Sequence, residues 1–180
     1  NSPESLWEKL MDGVDFIDDI PASRTEQLLA LLDDEKYPHI TTLKAGYLDH
    51  VDTFDHEFFG ISPRLARLID PQHRLLMEVT YHALEHSGTP VDQLKNSQTG
   101  VFIGISSNDF LQESLNDNRL LINESHAITG ATHSCAAGRI SHFFGCQGPC
   151  LSVDTACSSS LTALHQAKLS LQQGECELAI

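Results

Sequence analysis

Residues 151–174 read LSVDTACSSSLTALHQAKLSLQQG, and this stretch indicates the fold of the chain. The apolar run from Leu151 to Val153 predicts a buried strand. The apolar spacing that follows predicts a helix from Ser158 to Gln173, with Gly174 as its C-terminal stop. The small residues between strand and helix predict a sharp turn, and Cys157 lies in that turn.

Cys157 is the candidate catalytic residue. At the start of a helix its sulfur would face the positive end of the helix dipole, which favours thiolate over thiol. A thiolate can attack a thioester or amide carbonyl and hold the acyl group. A buried structural cysteine is also common in such a turn, so the turn alone leaves both interpretations open. We expect Asp154 and Thr155 to hold the turn. For Ser158 to Ser160 we favour capping of the helix over the alternative, lining a pocket for the acyl group.

An α/β pattern continues towards the N-terminus. The run Thr99 to Ile105 predicts a buried strand, and Glu177 to Ile180 begins another, so residues 151 to 180 predict a right-handed parallel crossover. Asp70-Pro71 opens the strongest helix, which Ser87-Gly88 ends. Five residues of this helix have the 3.6 period of a core-facing side: Leu75, Leu76, Val79, Ala83 and Leu84.

The other segments give weaker signals. Short helices are predicted at Ser5 to Met11 and Thr25 to Leu32, and residues 33–50 are turn-rich. We expect residues 107–126 to be irregular surface, because they are polar and rich in acids and asparagines. Ala127 to Phe144 is expected to contain a helix in which Gly138 allows close packing, and Gly145 to Pro149 a turn.

Composition limits the function classes. The 180 residues are 41% hydrophobic and 20% charged, as in globular proteins, and the formal net charge is −14. Such a charge disfavours binding to nucleic acid or to anionic membrane surfaces, which require a basic face. No run of 18 apolar residues and no signal-peptide pattern is present in the sequence, so we expect neither a membrane span nor secretion.

The sequence favours no metal site. The five cysteines are Cys135, Cys146, Cys150, Cys157 and Cys176, and an odd count without secretion predicts reduced thiols in the cytoplasm. Cys146 and Cys150 are four residues apart but lack a second ligand pair at zinc-finger spacing. The histidines are scattered, and we expect five of them to be solvent-facing: His50, His56, His73, His82 and His86.

Several segments resemble β-ketoacyl synthases, in the form found in modular type I polyketide synthases. DTACSSSL (154–161) resembles the family's active-site signature. The resemblance extends in order through four further segments: GYLDHVDTFDHEFFGISPRLARLIDPQHRLLMEVTYHALEHSG (46–88), TGVFIGIS (99–106), AAGRISHFFGCQGPC (136–150) and GECELAI (174–180). It covers almost the whole chain.

The resemblance implies a thiolase-like fold of αβαβα layers and a homodimer, with the strand around Leu151 near the dimer interface. It implies that Cys157 accepts an acyl chain from an acyl carrier protein. Decarboxylative Claisen condensation with a malonyl-type extender would follow. No cofactor is implied, since substrates arrive on the carrier's phosphopantetheine. The enzyme would be an acyltransferase of the β-ketoacyl-[acyl-carrier-protein] synthase type.

The resemblance is incomplete in two places. The family has two catalytic histidines, in HGTGT-like and NIGH-like segments, and none of the histidines here has that context. The family's first strand, of the form IAIIGM, also has no counterpart. We therefore expect residues 1–180 to be a partial N-terminal half, truncated at both ends and inactive alone. The alternatives are a non-elongating ketosynthase used for acyl transfer or docking, a fatty-acid-type ketosynthase, and a structural thiolase-like domain.

Overall fold

The computed structural model describes residues 2–25, 42–48, 50–116 and 126–180. The chain divides into two compact units, Asn1–Val51 and Asp52–Ile180. Within the described ranges, no helix is both long enough and apolar enough to cross a membrane.

The first unit is built around a short helix, α1 (Pro3–Met11), which Ser2 caps by accepting from the Ser5 backbone N–H. This confirms the predicted N-terminal helix. A bridge between Asp18 and Ala45 joins two extended stretches of the unit. Residues 22–25 form a helical turn, and the rest of the helix predicted at Thr25 to Leu32 lies outside the described residues, as does much of the turn-rich segment 33–50.

The second unit contains the sheet and its helices. In chain order its elements are α2 (Pro63–Leu68), α3 (Pro71–Ser87), a 3₁₀ turn (Val91–Leu94), β1 (Thr99–Gly104), α4 (Asp109–Asn116), α5 (Ala127–Ala131), α6 (Ser134–Phe144), β2 (Cys150–Val153), α7 (Ser159–Gln173) and β3 (Leu178–Ala179). The strands lie in the order β2-β1-β3, and both outer strands run parallel to β1.

Strand β1 separates two apolar clusters because its side chains alternate between the faces of the sheet. Val101 and Ile103, together with Ile105 just after the strand, pack into the larger cluster with residues of α3 and α6. Phe102 points to the other face and packs with Ala163 and Ala167 of α7. Helices therefore cover both sides of a parallel sheet, as the predicted α/β class requires.

Glycines terminate the two longest helices as predicted. Gly88 follows α3 with φ +69°, and Gly174 follows α7 with φ +73°. Both backbones are left-handed, a conformation that glycine adopts without a Cβ clash.

The buried face of α3 agrees only in part with the predicted one. Leu84 is buried and Leu76 packs against the larger cluster as expected, but Val79 is 61% exposed. The buried positions of the helix are His73, Met77, Thr80 and Leu84. Apolar residues lie on more than one side of this helix, so the sequence period does not single out one face. Packing against the rest of the larger cluster decides which side is covered.

Three further expectations are wrong. Strand β2 was expected to be buried, but Leu151 is 43% exposed, because β2 lies at an edge of the described sheet. Part of the segment expected to be irregular, residues 107–126, forms helix α4, while residues 117–125 lie outside the described part. Gly138 does lie in a helix, but a Cβ built on it would meet no atom within 4 Å, so it allows no close packing. Close approaches occur at other glycines, among them Gly104, where a Cβ would lie 2.6 Å from the Ser160 backbone nitrogen.

Candidate functional site

Cys157 lies where the sequence places it, in the turn between β2 and α7. Strand β2 ends at Val153 and α7 begins at Ser159. The cysteine is exposed and free. Within the described ranges its sulfur has no hydrogen-bond partner and no ion pair. A nucleophile needs this accessibility, because a carbonyl carbon must approach the sulfur directly.

The backbone just before Cys157 is strained. Ala156 has φ +54°, a left-handed value that non-glycine residues adopt at a cost of roughly 1 kcal/mol or more. The Ala156 N–H donates to Asp154 Oδ1 at 3.0 Å, so Asp154 holds the turn as expected. The strain permits an abrupt change of direction that leaves Cys157 on the outside of the turn.

Ser159 stabilises the strained turn from its buried side. The residue is 5% exposed, and its hydroxyl accepts from the Thr155 N–H at 2.9 Å and donates to the Ala156 carbonyl at 2.6 Å. The Thr155 N–H and the Ala156 carbonyl therefore both have a hydrogen-bond partner. The sequence did not single out Ser159 for this role, because three consecutive serines look equivalent until their orientations are known.

The expected helix cap is wrong. Ser158 occupies the N-cap position of α7, but no side chain makes a capping hydrogen bond there. The Ser158 hydroxyl instead donates to the Thr155 carbonyl at 2.8 Å. Consequently no side chain caps the N-terminus of α7, the positive end of its dipole, next to Cys157.

Gly104 lets this helix start approach the sheet. The carbonyl carbon of Ser159 and the Cα of Ser160 each lie 2.7 Å from where a Gly104 Cβ would be. Any side chain at position 104 would push the first turn of α7 away from β1. A glycine at the end of a predicted strand was the available sequence signal for this contact.

Two other thiols are less suited to nucleophilic chemistry. Burial raises the pKa of Cys146, and neighbouring Cys150 raises it further. Burial also raises the pKa of Cys150, with a hydrogen bond from Ser141 acting in the opposite direction. Cys150 is exposed as a residue, yet burial is the largest cause of the raised pKa of its thiol. Both thiols are therefore held in the neutral form.

The structure brings no metal-ligand cluster together in the part of the chain that it describes. His50, His82 and His86 are exposed as predicted, whereas His56 is half-buried and its Nδ1 lies 3.1 Å from the Ile61 carbonyl oxygen.

The prediction for His73 is wrong, since it is 1% exposed. Burial lowers the pKa of His73 to about 4, and the nearby Asp70 carboxylate only partly offsets this. Neither ring nitrogen has a hydrogen-bond partner among the described residues. His73 is therefore a buried neutral imidazole.

Comparison with known proteins agrees with the resemblance. The family described as "Beta-ketoacyl synthase, N-terminal domain" matches residues 1–180. The mycocerosic acid synthase-like polyketide synthase of Mycolicibacterium smegmatis is 43% identical over 181 residues, covering 100% of this chain and 8% of that protein. Polyketide synthase GfsA of Streptomyces halstedii is 43% identical over 181 residues, covering 99% of this chain and 2% of that protein.

Solved structures are similar as well. The ketosynthase from module 6 of the bacillaene synthase of Bacillus subtilis 168 has a TM-score of 0.75 at 32% identity, covering 96% of this chain and 27% of that one. An oxazolomycin ketosynthase domain of Streptomyces albus JA3453 has a TM-score of 0.80 at 32% identity, covering 98% of this chain and 31% of that one. The chain thus spans less than a tenth of these two polyketide synthases and under a third of these two ketosynthase chains.

Proposed function

The chain belongs to the β-ketoacyl synthase family, and from that premise we propose that it carries the nucleophile of a ketosynthase domain in a modular polyketide synthase. One observation supports this most directly. In a chain matched by the family over its whole length, Cys157 is an exposed free thiol on a strained turn between strand and helix. The thiolase-like α/β fold supplies that turn.

The first chemical step is acyl transfer to Cys157. The thiolate attacks the carbonyl carbon of an acyl thioester on the phosphopantetheine arm of an acyl carrier protein. A new carbon–sulfur bond forms to Cys157, and the carrier's thiolate leaves. The uncapped start of α7 favours this step because negative charge develops on the carbonyl oxygen beside a partially positive helix end.

The second step is carbon–carbon bond formation. A malonyl-type extender on a carrier protein loses CO₂, and the enolate attacks the carbonyl carbon of acyl-Cys157. The cysteine sulfur leaves, and a β-ketoacyl chain two carbons longer remains on the carrier. In this proposal the domain works as a homodimer in the cytoplasm with acyl carrier protein as partner. It needs no bound cofactor, and the five free cysteines fit a reducing compartment.

Intact-protein mass spectrometry tests the assignment of Cys157. After incubation with an acyl thioester, the full-length protein should gain the mass of one acyl group. Cys157→Ala should abolish the gain, lowering the loading rate by at least about a hundredfold. Cys150→Ala is the matched control and should load normally. Loading that survives Cys157→Ala and disappears in Cys150→Ala would overturn the proposal.

Release of CO₂ from a malonyl-carrier substrate separates elongation from mere acyl transfer. An elongating ketosynthase should release CO₂ and extend the acyl chain in step. A protein that loads Cys157 but releases no CO₂ would instead be a non-elongating ketosynthase.

A further inference from the structure

A wide cavity of about 640 Å³ opens at the C-terminal end of α3. Its lining includes the aromatic residues Phe58 and Tyr81 and the acidic residues Glu85 and Asp92. Gly88, where α3 ends, also lines it. We name it the α3 cavity. It has no part in the chemistry proposed for Cys157.

The aromatic residues of the α3 cavity contact one another. The Phe58 and Tyr81 rings are nearly perpendicular, at 80°, with centroids 4.8 Å apart. The Phe58 ring is also nearly perpendicular to the Phe59 ring, with centroids 4.9 Å apart, yet Phe58 remains 49% exposed. An accessible aromatic ring attracts a cation through the negative potential of its face.

The charges around the cavity also favour the binding of a cation. Glu85 and Asp92 are exposed, and neither a lysine nor an arginine is among the described residues that line the cavity. The end of α3 adds the partial negative charge of a helix C-terminus. Two neighbouring histidines can carry positive charge when protonated: His82, whose Nδ1 lies 3.5 Å from a Glu85 oxygen, and His86 in the last turn of α3.

We propose that the α3 cavity binds the guanidinium group of an arginine in a polypeptide segment that docks on this face of the protein. The planar guanidinium can lie against an aromatic face while its N–H groups donate to carboxylates. A lysine ammonium satisfies the charge but lacks the flat, forked shape. The cavity is broad and open, which fits a side chain presented by a passing segment.

Saturation-transfer NMR with the peptide acetyl-Gly-Arg-Gly-amide tests this on the full-length protein at low salt. The Glu85→Gln/Asp92→Asn double variant should weaken peptide binding about tenfold. Glu113→Gln/Glu177→Gln removes the same charge from exposed positions outside the cavity and should change binding less than about twofold. Equal weakening by both double variants would overturn the proposal, because binding would then reflect net charge alone.

Two further comparisons separate shape from charge. The same peptide with citrulline in place of arginine is isosteric but neutral, and it should bind at least about tenfold more weakly. Phe58→Leu keeps the apolar contact and removes the π-face, so it should weaken the arginine peptide and leave the citrulline peptide unchanged. Equal binding of the two peptides to the unmodified protein would overturn the inference, and so would lysine-peptide binding tighter than arginine-peptide binding.

Discussion

Helices α3 and α7 begin in opposite ways. The first turn of α3 is closed by its own sequence, since buried Asp70 accepts from the Gln72 N–H at 2.8 Å and Pro71 has no N–H to satisfy. The first turn of α7 has no side-chain cap, and its serine hydroxyls bond backwards into the turn that carries Cys157. The capped helix start is therefore the one far from Cys157, and the uncapped start is the one next to this proposed nucleophile.

Acidification should cause the largest loss of stability, through His73 at the capped start of α3. The pKa of His73, in the first turn of α3, is about 4 when folded and about 6.5 when unfolded, so the unfolded chain binds the proton first. Stability is therefore lost as the pH falls from about 6.5 towards 4, by about 3 kcal/mol for this group.

Urea unfolding across this pH range measures the His73 effect. His73→Met should remove most of the pH dependence, whereas His82→Gln, which changes an exposed histidine, should leave it intact. An unchanged pH dependence in His73→Met would show that carboxylates dominate acid unfolding.

Gly104→Ala should have the next largest effect on stability, and it acts at the uncapped start of α7. The added Cβ would overlap the backbone of Ser159 and Ser160, so we expect a loss of about 2 kcal/mol in unfolding free energy. Acyl loading of Cys157 should slow in parallel, because the turn moves with the helix. Gly138→Ala is the control, since that position is open and helical, and it should be neutral or stabilising. Equal destabilisation by both substitutions would contradict the close approach.

Ser159→Ala should cost about 1 to 2 kcal/mol, because the Thr155 N–H and the Ala156 carbonyl both lose their part-buried hydrogen bonds to the Ser159 hydroxyl. The rate of acyl loading should fall more than stability alone explains, since Ala156 is then less firmly held. Mass spectrometry of samples loaded without urea, at a temperature well below unfolding, gives this rate. A normal loading rate in a folded Ser159→Ala protein would show that the turn holds its geometry without the hydroxyl.

Removal of a helix-capping side chain should have the smallest effect on stability. Asp70→Ala should destabilise the protein by about 1 kcal/mol, the usual loss for a helix N-cap. Ser158→Ala occupies the same formal position on α7 but caps nothing, and it should stay within about 0.5 kcal/mol. Thermal unfolding of both variants checks the difference. Equal losses would mean that the two helix starts are not opposites in solution.

Local sequence predicted the parts whose geometry depends on neighbours along the chain. The order strand, turn and helix around Cys157 follows from apolar spacing and small residues. The ends of α3 and α7 follow from Gly88 and Gly174, because a left-handed residue stops a helix wherever it packs.

Local sequence failed where several equivalent residues compete for one role. His73 is buried and Val79 exposed because α6 and the 3₁₀ turn pack with α3 into a single cluster, which selects one face of a helix that is apolar on more than one side. Three serines follow Cys157, but only Ser159 faces the strained Ala156 carbonyl. The distinction depends on which way the helix leaves the sheet.

The sequence by itself determined the family, the parallel α/β order and the position of Cys157, since these depend on residue types at fixed spacing. Only the tertiary structure decided that the start of α7 is uncapped, that Gly104 makes room for it, and that His73 is buried and neutral. Each of these depends on contacts between segments far apart in sequence. The α3 cavity also depends on such contacts, because Phe58 and the acidic residues Glu85 and Asp92 line one cavity only when the loop at Phe58 packs against α3.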